Sequence, residues 1–271
     1  ARDDKRLTFW NAMLARSLAR GAQRLARPEW LTLADSILEA LRTRAWNGAT
    51  LSAIADGHAG PGFLDDHAAL LDALLERLAA GWRDSDLAWA LQLAESLLRE
   101  FEDVDRGGFH FAAHGHEALP QRPRPWLDEA TPSGNGLAAR ALLRLGHLVA
   151  EPRWLEAAER TLRAAWSALS DVPHGACTLL GALHDVLHPP AQIVVRVAAE
   201  ERDAWNEAIV AARMGGAEVY VVEPASTAFA QKPHRVGGAA FVCAGLRCLA
   251  AVHQPEDLVP ALSRLGVEAA A

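Results

Sequence analysis

The chain has 271 residues, of which 51% are hydrophobic and 23% charged, with a formal net charge of −7. That is ordinary globular composition, enough for one large domain or two average ones. An acidic balance without a basic stripe argues against nucleic acid or an anionic membrane as the main partner, and no apolar run approaches the ~18 residues that would cross a bilayer.

The opening "ARDDKR" is charged and reads as no signal peptide. Three cysteines make no disulfide framework. We expect a soluble, cytoplasmic protein and, from the absence of an opening Met, a piece of something longer. Residues 7–26 carry Trp10, Leu14, Leu18 and Leu25 near helical spacing, which predicts a first helix with those side chains on its apolar stripe. Pro28 suits the first turn of a second helix, "PEWLTLADSILEALRTRAW". A third helix is expected from Phe63 in "FLDDHAALLDALLERLAAGW" and a fourth in "DLAWALQLAESLLREFED". The fifth is entered through the polar box "DEATPSGNG", the sixth is "PRWLEAAERTLRAAWSAL", and the seventh "ACTLLGALHDVLH".

The hairpins repeat weakly. Asn11 and Trp30 are separated as Asn135 and Trp154 are, and Asp66 sits at the comparable place between them. The fifth helix is apolar around most of its girth, with a narrow polar stripe of Arg140, Arg144 and His147. The sixth has one apolar face (Trp154, Leu155, Ala158, Leu162, Trp166) opposite Glu156, Glu159, Arg160 and Arg163. A helix buried on most sides belongs to an inner layer and one with a wet face to an outer layer, and their alternation describes an α/α toroid or an arc of one. Short links join inner to outer helices. The two long links, with strand-like runs "ATLSAIA" and "GGFHFAA", therefore emerge on one rim, where inner-helix N-termini point. In the polar box Pro132 fits a first turn, and Ser133 and Asn135 are both plausible caps. Whether the box is only a helix start or also binds something stays open on spacing alone.

From about residue 190 the text changes to a small α/β unit. Strands are expected in "QIVVRV" and "EVYVV", joined by the amphipathic helix "RDAWNEAIVAARMG" and therefore parallel with a right-handed crossover. "GAAFVCAGLRCLAAV" adds one or two strands, and "PEDLVPALSRLG" closes with a helix. The expected organisation is a mainly α, partial six-hairpin toroid over residues 1–189 and an α/β unit over 190–271.

Five ordered motifs carry a resemblance that covers nearly the whole chain. "DDKRLTFWNAM", "GFLDDHAALLDALL", "GGFHF", "DEATPSGNGLAA" and "AAFVCAGLRCLAAVHQPEDL" resemble, in this order, conserved segments of the spermatogenesis-associated thioredoxin-domain (YyaL) family. Ala12 stands where that family has Gly, and His67 where Tyr is usual. The resemblance implies a C-terminal portion of such a protein. It would comprise the later part of an (α/α)6 toroid similar to N-acylglucosamine 2-epimerases and six-hairpin glycosidases, and an α/β tail, without the N-terminal thioredoxin-like domain. It also implies that Trp10, Asn11, Asp66, Asp128, Ser133 and Asn135 line the toroid cavity.

The rim collects Asp65, Asp66, His67, His110, Asp128 and Asn135. Paired carboxylates held across a sugar ring can run glycoside hydrolysis or epimerisation, so Asp66 and Asp128 are the acid–base candidates. Trp10, Asn11, Asp65, His67, Ser133 and Asn135 are candidate binding residues for a carbohydrate-like molecule. Acids also favour a helix's first turn, which gives Asp65 and Asp66 a purely capping alternative. His110 is expected to face solvent from a strand.

Cys243 and Cys248 could be half-buried thiols, a redox or disulfide pair, or, with His234 and His253, a zinc site; a shared role needs a bend at Gly245. Cys177 is expected in the core. His184 and His188 are expected to serve the dipole at a helix C-terminus. No cofactor is read from the sequence. A non-catalytic scaffold serving a thioredoxin-like domain is the rival function. An open arc should expose an apolar patch on the first helix, to be covered by an N-terminal segment of the same protein or by self-association.

Overall fold

The computed structural model describes residues 3–55, 60–116, 121–229 and 231–266. Three helical hairpins come first: α1 (Thr8–Arg24) with α2 (Pro28–Arg44), α3 (Leu64–Ala80) with α4 (Asp84–Phe101), and α5 (Gly134–Val149) with α6 (Pro152–Ala164). A short α7 (Trp166–Asp171) leads to α8 (Cys177–Leu187). Helices α1, α3, α5 and α8 lie side by side in one layer, and α2, α4 and α6 each back their own partner. The alternation of inner and outer helices expected from girth is what forms. From Asp66 through Ala79 every residue of α3 is buried. α6 instead buries Trp154, Leu155, Ala158 and Leu162 and turns Glu156, Glu159 and Arg163 to solvent.

Two faces differ from expectation. On α1 the buried stripe is Phe9, Ala12, Ala15, Ala19 and Ala22, whereas Trp10 is 63% and Leu14 50% exposed. A row of methyl groups lets α1 and α3 pack backbone to backbone at close range, and larger side chains would not fit between them. Trp166 is exposed, contrary to its expected place on α6, because α6 ends at Ala164 and α7 restarts the helical phase. Pro132 lies just outside α5, whose N-cap is Ser133.

The strand-like runs in the long loops form only isolated bridges, Trp46 to Leu51, Leu7 to Ile54 and Glu102 to Phe109 among them. Residues 56–59 and 117–120 of those loops lie outside the described residues. Among the described residues, no helix is long and apolar enough to cross a membrane.

The α/β unit comprises β1 (Ala191–Arg196), α9 (Arg202–Met214), β2 (Glu218–Val222), β3 (Ala239–Ala244), β4 (Arg247–Cys248) and α10 (Leu258–Arg264). Its sheet runs β2-β1-β3-β4, with β1 and β2 parallel and the other pairs antiparallel. β1 is buried at every position because the sheet is covered on both faces. Ile193, Val195 and Val219 pack with Trp205 and Ile209 of α9 and Leu258 and Leu262 of α10. Val194, Tyr220 and Val222 join the core of the helical layer. The period-two alternation of the strands thus divides the sheet between two cores.

Trp154 is 3% exposed and sits in the larger core with Leu155, Ala158 and Leu162. Trp154→Ala is expected to cost about 3–5 kcal/mol through lost burial and an unfilled cavity, read as a lowered denaturant midpoint.

Candidate functional site

Inner-helix N-termini meet along one rim, and their side chains explain the polar box. Asp66 is the third residue of α3. Its Oδ2 accepts the N–H of Phe63 at 2.8 Å, and its Oδ1 accepts the N–H of Phe9 in α1 at 3.0 Å. Asp128 repeats the device one helix on. Its Oδ1 accepts from Ser133 N and its Oδ2 from Thr178 N in α8, both at 2.8 Å. The Ser133 hydroxyl accepts the N–H of Gly136 at 3.1 Å. Asn135, fully buried, clamps the preceding loop: its Oδ1 accepts from Phe109 N at 2.7 Å, and its Nδ2 donates to Phe109 O and Pro125 O at 2.9 and 3.0 Å. Gly108 in that loop has φ +80° and lies so close to Trp126 that a Cβ would stand 2.3 Å from its ring.

Asp65 differs from its neighbours. Its Oδ1 is buried without a hydrogen-bond partner and lies against Gly134, where a Cβ would stand 2.0 Å from it. Burial raises the Asp65 carboxyl to about 6. Burial also raises Asp66 to about 7, against the opposing pull of the two N–H donors. His67 is buried edge-on to Phe101, with Nδ1 2.9 Å from the Phe63 carbonyl, so Nδ1 carries the proton. Burial lowers His67 to about 4.

The remaining expected residues have other surroundings. Trp10 is exposed in the first turn of α1, and the Asn11 amide donates to the carbonyl of Leu7, the N-cap of that helix, at 2.7 Å. His110 is half-buried, unlike the solvent-facing side chain expected, because the loop folds back and sets its Nε2 3.4 Å from Asp103. Cys177 is exposed at the start of α8 and so is no core residue. His184 and His188 are near neighbours, with ring centroids 5.2 Å apart.

Cys243 and Cys248 face one another across the β3–β4 hairpin and are joined by a disulfide. The bend needed at Gly245, which has φ +58°, brings the two side chains together. The same disulfide removes the free-thiol and zinc alternatives. Among the described residues, no group of three or more His, Cys, Asp or Glu side chains is arranged to hold a metal.

A second concave feature, which sequence reasoning missed, lies at the other end of the inner helices. A cleft of about 520 Å³ opens between the later turns of α1, α3, α5 and α8 and the α/β unit. Arg144, from the predicted polar stripe of α5, is buried against it. It sits 2.8 Å from Glu218, 3.0 Å from Glu76 and 3.2 Å from the Tyr220 hydroxyl. Burial opposes its charge, but Glu218, Tyr220, Glu76 and Asp72 together hold it firmly protonated. Arg16, Arg20 and Arg24 recur every four residues on the α1 wall, a spacing visible in the sequence.

Fold and rim together define an arc of a six-hairpin α/α toroid, the architecture of a GH76 α-mannanase from Bacteroides thetaiotaomicron. That structure superposes with a TM-score of 0.51 at 10% identity, over 68% of this chain and 54% of the mannanase. Cellobiose 2-epimerase from Spirochaeta thermophila aligns over 59% of this chain and 43% of its own, with a TM-score of 0.48 and 16% identity. By sequence, the chain is a distant homologue of the C-terminal part of spermatogenesis-associated protein 20. The human protein is 26% identical over 206 residues, covering 71% of this chain, and the mouse protein 27% identical over 185 residues. The alignment spans 26% of the human relative's length. No family model matches the chain.

The state of His67 gives stability a pH dependence. Unfolded, the ring takes up a proton near its ordinary 6.5; folded, it resists protonation until about 4. Acidification through that window therefore favours the unfolded chain, by up to about 3 kcal/mol. Replacing His67 with Gln is expected to abolish this part of the loss, seen by comparing urea midpoints of both proteins at neutral pH and at the acid end of the window.

Proposed function

We propose that this chain is a scaffold and binding module of a larger protein related to spermatogenesis-associated protein 20, and that Asp66 and Asp128 hold helix entrances in place of running acid–base catalysis. One observation carries the reading: both oxygens of both carboxylates already accept backbone N–H bonds. A general base must be free to reach the proton it abstracts. Asp66→Asn and Asp128→Asn should each lower the denaturant midpoint, by about 1–3 kcal/mol, because each turns an acceptor into a donor facing an N–H. Wild-type protein incubated with a panel of mono- and disaccharides should yield no hydrolysed or epimerised product. Sugar turnover that Asp128→Asn abolishes at an unchanged midpoint would sink the proposal.

A second reading rests on Asp65. A carboxyl raised to about 6, with one oxygen unpartnered, has the protonation suited to a general acid acting on a carbohydrate-like substrate. In that case Asp65→Asn, and not Asp128→Asn, removes the activity.

The exposed Trp10 and Leu14 give α1 an apolar outer face, which in our reading meets a further hairpin of the same protein or a second copy of this chain. Sedimentation of the isolated chain at micromolar concentration should show self-association, and Trp10→Glu should reduce it. A purely monomeric species would count against this contact.

A further inference from the structure

The charged cleft at the far end of the inner helices has more arginine than its acids can pair. Arg144 engages Glu76 and Glu218, Arg16 pairs with Asp72, and Arg140 Nε stands 3.1 Å from Asp185. That accounts for every carboxylate on the cleft wall. Arg20 has only a 3.9 Å approach to Glu76, which already serves Arg144 at 3.0 Å. Arg24 and Arg213 have no carboxylate within ion-pair distance among the described residues. Arg24 Nη1 instead lies 3.4 Å from the Arg213 carbonyl. On Arg213, Nη2 donates to Ala79 O at the end of α3 at 2.8 Å and to Val219 O at 3.4 Å, while Nε is buried with no partner.

We propose that this cleft binds a compact dianion of metabolite size, a phosphate ester or a dicarboxylate, held by Arg20, Arg24 and Arg213. Three observations converge on it. Arg20 and Arg24 are one helical turn apart and face the same cavity, so two forks reach one ligand. Arg213 meets them from α9 with an unused donor. The cavity, about 520 Å³, is in the range that encloses small metabolites. The Arg213 bonds to Ala79 O and Val219 O use the two hydrogens of Nη2 and leave three donors of five, on Nη1 and Nε, available.

Burial and the neighbouring Arg24 charge both disfavour the protonated form of Arg213, and a bound anion relieves both. Glu76 and Glu218 on the same walls repel an extended polyanion, which confines the site to short ligands. The proposal does not depend on the rim: it uses none of the residues there.

Calorimetric titration of the whole chain in a low-salt, phosphate-free buffer tests it, with inorganic phosphate, glucose 6-phosphate, succinate and neutral glucose as probes. Saturable binding is expected for the anions and none for glucose. Arg20→Ala and Arg24→Ala should each weaken the anion about tenfold, the effect of losing one charge-assisted contact. Both side chains are largely exposed, so the unliganded melting temperature should not move. Arg27→Ala, which breaks an exposed pair with Glu29 outside the cleft, is the control and should leave the affinity unchanged. Tighter glucose 6-phosphate than succinate identifies a phosphate ester, and the reverse order a dicarboxylate. Absence of saturable anion binding overturns the site. So does an Arg27→Ala loss equal to that of Arg24→Ala, which would reduce the effect to general surface charge.

Discussion

Every helix begins with backbone N–H groups that its own turns cannot satisfy, and in this molecule the beginnings of the inner helices are packed beside each other. That constraint organises the rim. The starts of α3 and α5 are largely buried, so side-chain oxygens must supply the acceptors that water cannot. Asp66 serves α1 and α3 together, Asp128 serves α5 and α8, and Asn135 serves the loop that passes beneath. Each polar residue therefore staples two elements. A carboxylate at such a position also meets the positive end of the helix dipole. The fold thus has a physical reason to place acids there before any ligand is considered.

At the other end of the same helices the charge pattern is inverted and the covering is different. The inner faces of α3 and α5 carry Asp72, Glu76, Arg140 and Arg144, which an empty bowl would leave in water. Here β2 closes over part of them, giving Glu218 and Tyr220 to Arg144 and Val194, Tyr220 and Val222 to the helical core. A buried ion-pair network of this kind adds little net stability over an apolar equivalent, but it penalises any arrangement that leaves one member alone. It fixes where the sheet sits on the helical layer.

Much of this was legible in the sequence where side chains are large and periods long. The girth of apolar residues on α5 announced an inner layer, and Glu156, Glu159 and Arg163 announced the wet face of α6. The α1 face was misjudged because alanines weigh little in a hydrophobic pattern, so Trp10 and Leu14 outvoted Ala12, Ala15 and Ala19. Close helix approach rewards the smallest side chain, and no periodicity in hydropathy expresses that. Among the rim residues, spacing alone offered Ser133 and Asn135 alike as caps, and Ser133 is the one that caps α5. That Asp66 reaches the N–H of Phe9 could not be read there, because the contact joins residues 57 apart in sequence. The cleft stayed invisible for the same reason. Only the Arg16, Arg20 and Arg24 spacing was local; Arg213 and Glu218 arrive from a different unit.

The bond between Arg144 and Tyr220 spans 76 positions of chain, and that distance has a consequence for the order of assembly. The hairpins α1–α2, α3–α4 and α5–α6 are made of contacts close in sequence and can form early, whereas the sheet must close a long loop before it gains anything. Until it docks, Arg144 and its carboxylate partners remain hydrated, and the cost of drying them is deferred to that last step. Docking then succeeds only if Arg144 meets Glu218 and Tyr220 as it leaves water. The sheet so becomes a late checkpoint on the helical layer: a misregistered hairpin would present the wrong charges, and the chain would be left with its arginines in water.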